Sequence, residues 1–190
     1  MRIGRLIGRT VIGTLFVGHG AQKLFGSFGG HGIDGTGQFF EQLGLRPGRR
    51  NSIAAGASEA GGGALLVAGL LTPIAATALI GTMITAIRTV HLKNGPWSSN
   101  GGYEYNLVLI GALLAIVDGG PGALSLDRAL GLDDTGAGWT LAALAAGALG
   151  STAVIEAGRR YPAAESPSAN GSEPAARAEP ADEAQATTTA

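Results

Sequence analysis

The chain has 190 residues, of which 45% are hydrophobic and only 14% charged, and its mean hydropathy is +0.25. An average soluble domain is about 25% charged, so the composition argues against a water-soluble globule and for a membrane protein. The absence of cysteine excludes a disulfide framework, a thiol nucleophile and a thiolate metal site, and a net charge of −1 leaves no basic surface for nucleic acid.

Taken in chain order, the first apolar stretch runs from Arg5 to Phe25. Its basic start, Met1-Arg2-Ile3-Gly4-Arg5, resembles a signal peptide. No clean small-x-small cleavage site follows, and His19, Gln22 and Lys23 interrupt the apolar end, so the stretch is expected to be retained. Gly4 and Gly8 form a small-xxx-small pair, a hint of helix contact; a homo-oligomer stays open. The segment from Gly26 to Gly37 contains six glycines and reads as a flexible, exposed loop, because no strand–helix context makes it a phosphate cradle. Gln38 to Leu45 reads as a short amphipathic interfacial helix, with Phe39, Phe40 and Leu43 toward lipid.

The second and third apolar stretches, Ile53 to Leu71 and Pro73 to Leu92, have no charge between Glu59 and Arg88. Thr72 suits a helix N-cap and Pro73 the first helical position, so the pair is a helical hairpin. The fourth stretch runs from about Gly102 to Val117 and stops at Asp118-Gly119-Gly120-Pro121-Gly122. The fifth, Gly138 to Ile155, is Ala- and Gly-rich and reads either as a true span or as a helix lying on the bundle. The end of the chain, 161–190, has five acids against one base and lacks Leu, Ile, Val, Met, Phe and Trp. It cannot bury enough surface to offset its ordering entropy and is expected to be disordered. The expected fold is all-α: an integral membrane four-helix bundle over 1–131, a linker and fifth hydrophobic helix over 132–160, and a disordered acidic tail over 161–190. Arg2, Arg5 and Arg9 favour an N-terminus on the cytoplasmic side, against Arg46, Arg49 and Arg50 in the first loop.

Alternation of four antiparallel spans brings polar groups to one half of the bilayer. Span one ends there with His19 and Lys23, and span two carries Glu59 about six residues in, roughly 9 Å deep. Span three ends there with Arg88 and His91, and span four starts with Tyr103, Glu104 and Asn106. His19 and Lys23 are four apart, and Arg88 and His91 three apart, so each pair shares an α-helical face. Glu59 and Glu104 can then pair with Lys23, Arg88 or a protonated histidine. Gly61, Gly62 and Gly63 would let the helices approach closely.

Each residue also has a plainer reading. Lys23 and Arg88 are interfacial anchors, His19 a packed polar residue, and Glu104 a favourable charge in a first helical turn. Glu59 has no ordinary anchoring role so far inside a span. The three histidines, His19, His31 and His91, lack close chelating spacing, so no metal site is expected. No cofactor is expected in the chain itself, and the catalytic residues stay unassigned.

The segment Gly18-His19-Gly20-Ala21-Gln22-Lys23-Leu24-Phe25-Gly26 resembles the first-helix signature of the DoxX family of small membrane proteins. Glu59-Ala60-Gly61-Gly62, Gly69-Leu70-Leu71-Thr72-Pro73, and then Met83, Ala86 and His91 continue the likeness in order. So do Gly101-Gly102-Tyr103-Glu104-Tyr105 and the run from Gly120-Pro121-Gly122 to Ser125-Leu126-Asp127. The resemblance covers about residues 1–131. It implies a multi-pass, four-helix protein of the bacterial cytoplasmic membrane. Its relatives include a small subunit of a thiosulfate:quinone oxidoreductase and proteins associated with thiol and superoxide defence. The family's polar positions fall on His19, Lys23, Glu59, His91 and Glu104. A redox-complex subunit that meets quinone, with a partner supplying the redox centre, is then the leading expectation. A membrane scaffold for soluble redox enzymes, or a small-molecule or proton transporter, are the alternatives.

Overall fold

The computed structural model describes residues 3–132 and 134–162. The tail expected to be disordered falls, but for its first two residues, outside the described residues. Among the described residues there are α-helices and short turns and no strand. The helices are α1 (Ile3–Phe25), α2 (Gly32–Gln42), α3 (Gly48–Ala68), α4 (Thr72–Ala86), α5 (Glu104–Gly119), α6 (Leu126–Leu130) and α7 (Ala137–Arg160). All five apolar stretches are therefore helical.

The helix ends follow backbone chemistry. α3 closes with Gly69 in the left-handed region (φ 64°). The Leu70 N–H donates to the Leu65 carbonyl at 2.9 Å and Gly69 N–H to Leu66 at 3.1 Å, the double bond of a Schellman end. α5 stops at Gly119, where Gly120 takes φ 80° and Pro121 cannot continue the helix. Thr72, expected as the N-cap of α4, is instead its first residue; Leu71 holds the cap position and no side chain on α4 caps it. A carboxylate from elsewhere in the fold does so, as described below. Pro73 stands in the first turn, as its missing N–H favours.

α1 packs antiparallel along α3 through small residues. A Cβ on Gly13 would lie 2.6 Å from the Gly63 carbonyl oxygen, and one on Gly20 2.7 Å from the Ala60 Cβ. Gly62 faces Leu79 of α4 on the other side. Gly61, expected among the packing glycines, points to open space, as do Gly4 and Gly8. The core lies where α3, α4 and α5 meet, around Leu66, Leu79, Ile80, Leu113 and Val117. α7 runs parallel to α4 and packs on it, with Gly147 against Ile80 and Gly81. It also touches α5, so the fifth hydrophobic helix is built into the bundle.

The glycine-rich segment expected as a loop is half helix. After a short turn at Ser27–Gly29, α2 begins at Gly32 and takes in Asp34, Gly35, Thr36 and Gly37. Gly37 and Gly48 bring the backbones of α2 and α3 together, which a side chain at either position would prevent. Tertiary contact thus overrides the poor helix propensity of glycine.

Candidate functional site

α1, α3, α4, α5 and α7, together with α2, surround a cavity of about 780 Å³. This is within the range of small-molecule sites, about 300–1,000 Å³. Its walls are mainly apolar: Phe16, Leu109 and Val154 contribute, and so do Phe39, Phe40 and Leu43. Amphipathicity placed those last three toward lipid; they line the cavity because α2 leans on α3.

Lys23 at the end of α1 donates to the Glu59 carboxylate of α3 at 2.6 Å. Glu59 is 5% exposed and Lys23 24%, and both line the cavity. The glycine-mediated closeness of α1 and α3 makes this contact possible. The cation offsets part of the cost of burying that carboxylate.

His19 and His91 also line the cavity. The Gln22 amide nitrogen donates to the Phe28 carbonyl at 3.3 Å, which turns its oxygen toward His19 Nδ1 at 3.0 Å. His91 Nδ1 donates to the Gly101 carbonyl at 2.7 Å. Each ring therefore carries its proton on Nδ1 and leaves Nε2 as the acceptor when neutral. Asn106, also lining the cavity, is buried and donates to the Met83 sulfur at 3.4 Å. The Thr77, Thr82 and Thr85 hydroxyls of α4, and that of Thr89 just beyond its end, bond back to carbonyls three or four residues earlier. They present only lone pairs to the cavity.

Two of the six clustered residues go elsewhere. After Ala86 the helix widens into a π turn, Ile87–His91. The spacing that stacks residues three apart belongs to the α-helix and fails in a π turn. Arg88 consequently reaches α7, donating to Thr152 Oγ1 at 2.9 Å and approaching Ser151 Oγ at 3.4 Å, while His91 turns to the loop. Glu104 accepts from the Ser98 N–H at 3.0 Å and shapes the loop before α5. Neither lines the cavity. Among the described residues, no three His, Asp or Glu side chains converge as a metal set.

The opposite end of the bundle holds a second polar assembly that spacing did not reveal. Arg9 is 2% exposed and donates to the Leu66, Val67 and Leu124 carbonyls. Asp127 is 1% exposed and accepts from Leu71 N–H at 2.6 Å and Thr72 N–H at 3.0 Å. It is the capping carboxylate of α4, supplied from 55 residues away. It also holds Leu71 in a left-handed conformation (φ 48°) that leucine rarely adopts. Gly69 leaves the space that the Arg9 guanidinium occupies. The run Ser125-Leu126-Asp127 was visible in sequence, but its contact with residue 71 is a product of the fold.

These features define a class: an all-helical bundle with a largely apolar cavity and a buried ion pair in its wall. Two of its helical segments, Thr72–Asn94 and Ala137–Arg160, are long and apolar enough to cross a membrane. Residues 4–92 match the DoxX family model, and this part of the chain is a DoxX domain. DoxX proteins are membrane proteins, and the chain is DoxX-like in this sense. The match spans α1 to the π turn after α4, a shorter reach than the likeness over 1–131. No curated protein and no solved structure matches the chain.

Proposed function

We propose that the protein is a multi-pass subunit of a redox complex in a bacterial cytoplasmic membrane, and that its cavity receives the headgroup of a quinone. Five of its helices stand side by side as spans, with lipid as the outer solvent. At about 1.5 Å per residue, α1 and α7 are long enough for a hydrocarbon core of about 30 Å. Their outer faces favour lipid. Ile3, Ile7, Val11 and Leu15, each four residues from the next, form an exposed apolar stripe on α1, and Leu141 and Leu149 are exposed on α7.

The single observation that carries the proposal is the Lys23–Glu59 pair set in an apolar cavity of ligand size. Reduction adds one electron and one proton to each carbonyl oxygen of a quinone. The electrons come from a redox centre on a partner subunit. Lys23 would bond a carbonyl oxygen and stabilise its developing negative charge. A protonated His91 would donate to the other oxygen, and Glu59 would be the group through which protons return. Against the transporter alternative, Arg9 and Asp127 close the far end of the bundle, and neither lines the cavity.

A photoreactive short-chain quinone, applied to the purified full-length protein, tests the reading. Gly150 lines the cavity and a Cβ there meets nothing, so Gly150→Trp has room to start a bulky side chain at the cavity wall. Labelling should fall on cavity peptides, and Gly150→Trp should remove most of it while the protein melts as the parent does. Equal labelling of parent and variant would contradict the quinone reading and leave the scaffold alternative in its place.

A further inference from the structure

The main cavity extends well beyond its charged end. Lys23, Glu59 and His91 line one end of it, and its wall continues along α4 to Ala78 and Thr77. Thr77 and Thr89 both line it, about 18 Å apart along the helix. Between them the wall is made of small residues, with Gly81 and Ala86 on α4 and Ala54 and Ala55 on α3.

α3 and α7 both pack on α4. α7 is seated at two glycines. A Cβ on Gly147 would lie 2.8 Å from the Ile80 side chain and 3.1 Å from the Gly81 nitrogen. A Cβ on Gly158 would overlap the Gly44 carbonyl oxygen and lie 2.9 Å from the Arg46 nitrogen. Gly147, Gly150, Val154 and Gly158 follow one another at three or four residues, so they share a face of α7. The two seats are about 16 Å apart along that face, and a Cβ on Gly150 between them meets nothing. Ala54 of α3 and Ala146, Gly150 and Val154 of α7 line the cavity and are themselves exposed. The cavity therefore opens sideways between α3 and α7, partway along the helices and short of the point where Gly158 meets the α2–α3 turn. α7 lies beyond the residues that match DoxX, so this wall comes from outside that domain.

We infer that the site takes an amphiphile with one long apolar chain, which lies along α4 from Thr89 toward Thr77 and enters from the bilayer through the opening between α3 and α7. The inference rests on the quinone reading above for its headgroup, and the chain is then a prenyl tail. A headgroup held at Lys23 leaves the apolar end of the cavity to whatever it carries, and an empty end forfeits its van der Waals contacts. With α7 as a span, an opening partway along it faces lipid, so a ligand dissolved in the bilayer reaches the cavity without passing through water. Lipid is as apolar as the groove. Chain length therefore adds little affinity, and the position of the chain is the observable.

Two photoreactive probes test this on the full-length protein in phosphatidylcholine nanodiscs: a prenyl quinone with its reactive group at the end of the chain, and a fatty acid with its reactive group in the same place. The quinone's chain-end label should fall on the α4 peptide around Thr77 and Ala78 and on the α7 peptide around Ala146. Ala78→Phe should remove that label, while a short-chain quinone still labels the Lys23 end of the cavity. If Ala78→Phe does not fold, Ala146→Phe, at an exposed position, should remove it instead. A short-chain label in the cavity with the chain-end label on the outer stripe of α1 would overturn the chain path and leave the quinone reading standing. A label at Thr77 and Ala78 from the fatty acid, with none in the cavity from either quinone, would support the groove and overturn the quinone reading. No label at Thr77, Ala78 or Ala146 from either long-chain probe would overturn the groove.

Discussion

At the scale of single residues, the Lys23–Glu59 pair is asymmetric, and the asymmetry is testable. Lys23→Met leaves the 5% exposed Glu59 carboxylate without its cation. Breaking a buried pair in this way costs about 3–5 kcal/mol. Glu59→Gln leaves Lys23, which is 24% exposed and can turn its ammonium toward water, so its cost should be smaller. The double variant should cost clearly less than the two singles together. Thermal unfolding in one detergent checks all three; a larger loss for Glu59→Gln would contradict the account. Asp127 offers a second test. Asp127→Ala leaves the Leu71 and Thr72 N–H groups without their acceptor, at about 1–3 kcal/mol for each that stays dry. Asp127→Asn, which keeps one acceptor oxygen, should recover part of this in the same measurement.

At the scale of elements, small residues decide which helices meet. Gly63→Ala would push a methyl to 2.5 Å from the Gly13 carbonyl oxygen and should cost about 1–3 kcal/mol as overpacking. Gly61→Ala meets nothing and should be neutral or stabilising by up to about 1 kcal/mol, because alanine is the better helix former. Melting temperatures that fall equally for both would contradict the packing described for α1 and α3. Hydropathy could place the long helices because an apolar run of span length has few other uses. It could not tell Gly61 from Gly63, since both sit in one unbroken glycine run and helix phase alone separates them. α2 was half hidden for a related reason. Its glycines look like loop residues until α3 is there to be touched.

At the scale of the whole molecule, two polar assemblies sit at opposite ends of the bundle. Alternation of helix direction was enough to gather His19, Lys23, Glu59 and His91 around one cavity, because it needs only the count of long helices. Arg88 and Glu104 escaped it, one through the π turn after α4 and the other through the loop before α5. Neither feature has a spacing rule that sequence reveals. The Arg9–Asp127 end was hidden because its bonds run to backbone groups and link residues 55 or more apart. That end ties α1, the α3–α4 turn and α6 together, so it holds the frame while the Lys23 end stays open around its cavity. In the proposed reading, the open end is the one that meets the ligand.

The proposed role takes its electrons from a partner subunit. Gentle affinity purification of the tagged protein from native membranes, with co-purifying proteins counted by mass spectrometry and bound quinone extracted, tests this most directly. The account predicts a flavin-, haem- or thiol-bearing partner at near-equal stoichiometry, with quinone retained by the parent and lost from Gly150→Trp. A protein recovered alone or only as a homo-oligomer, without quinone, would contradict it.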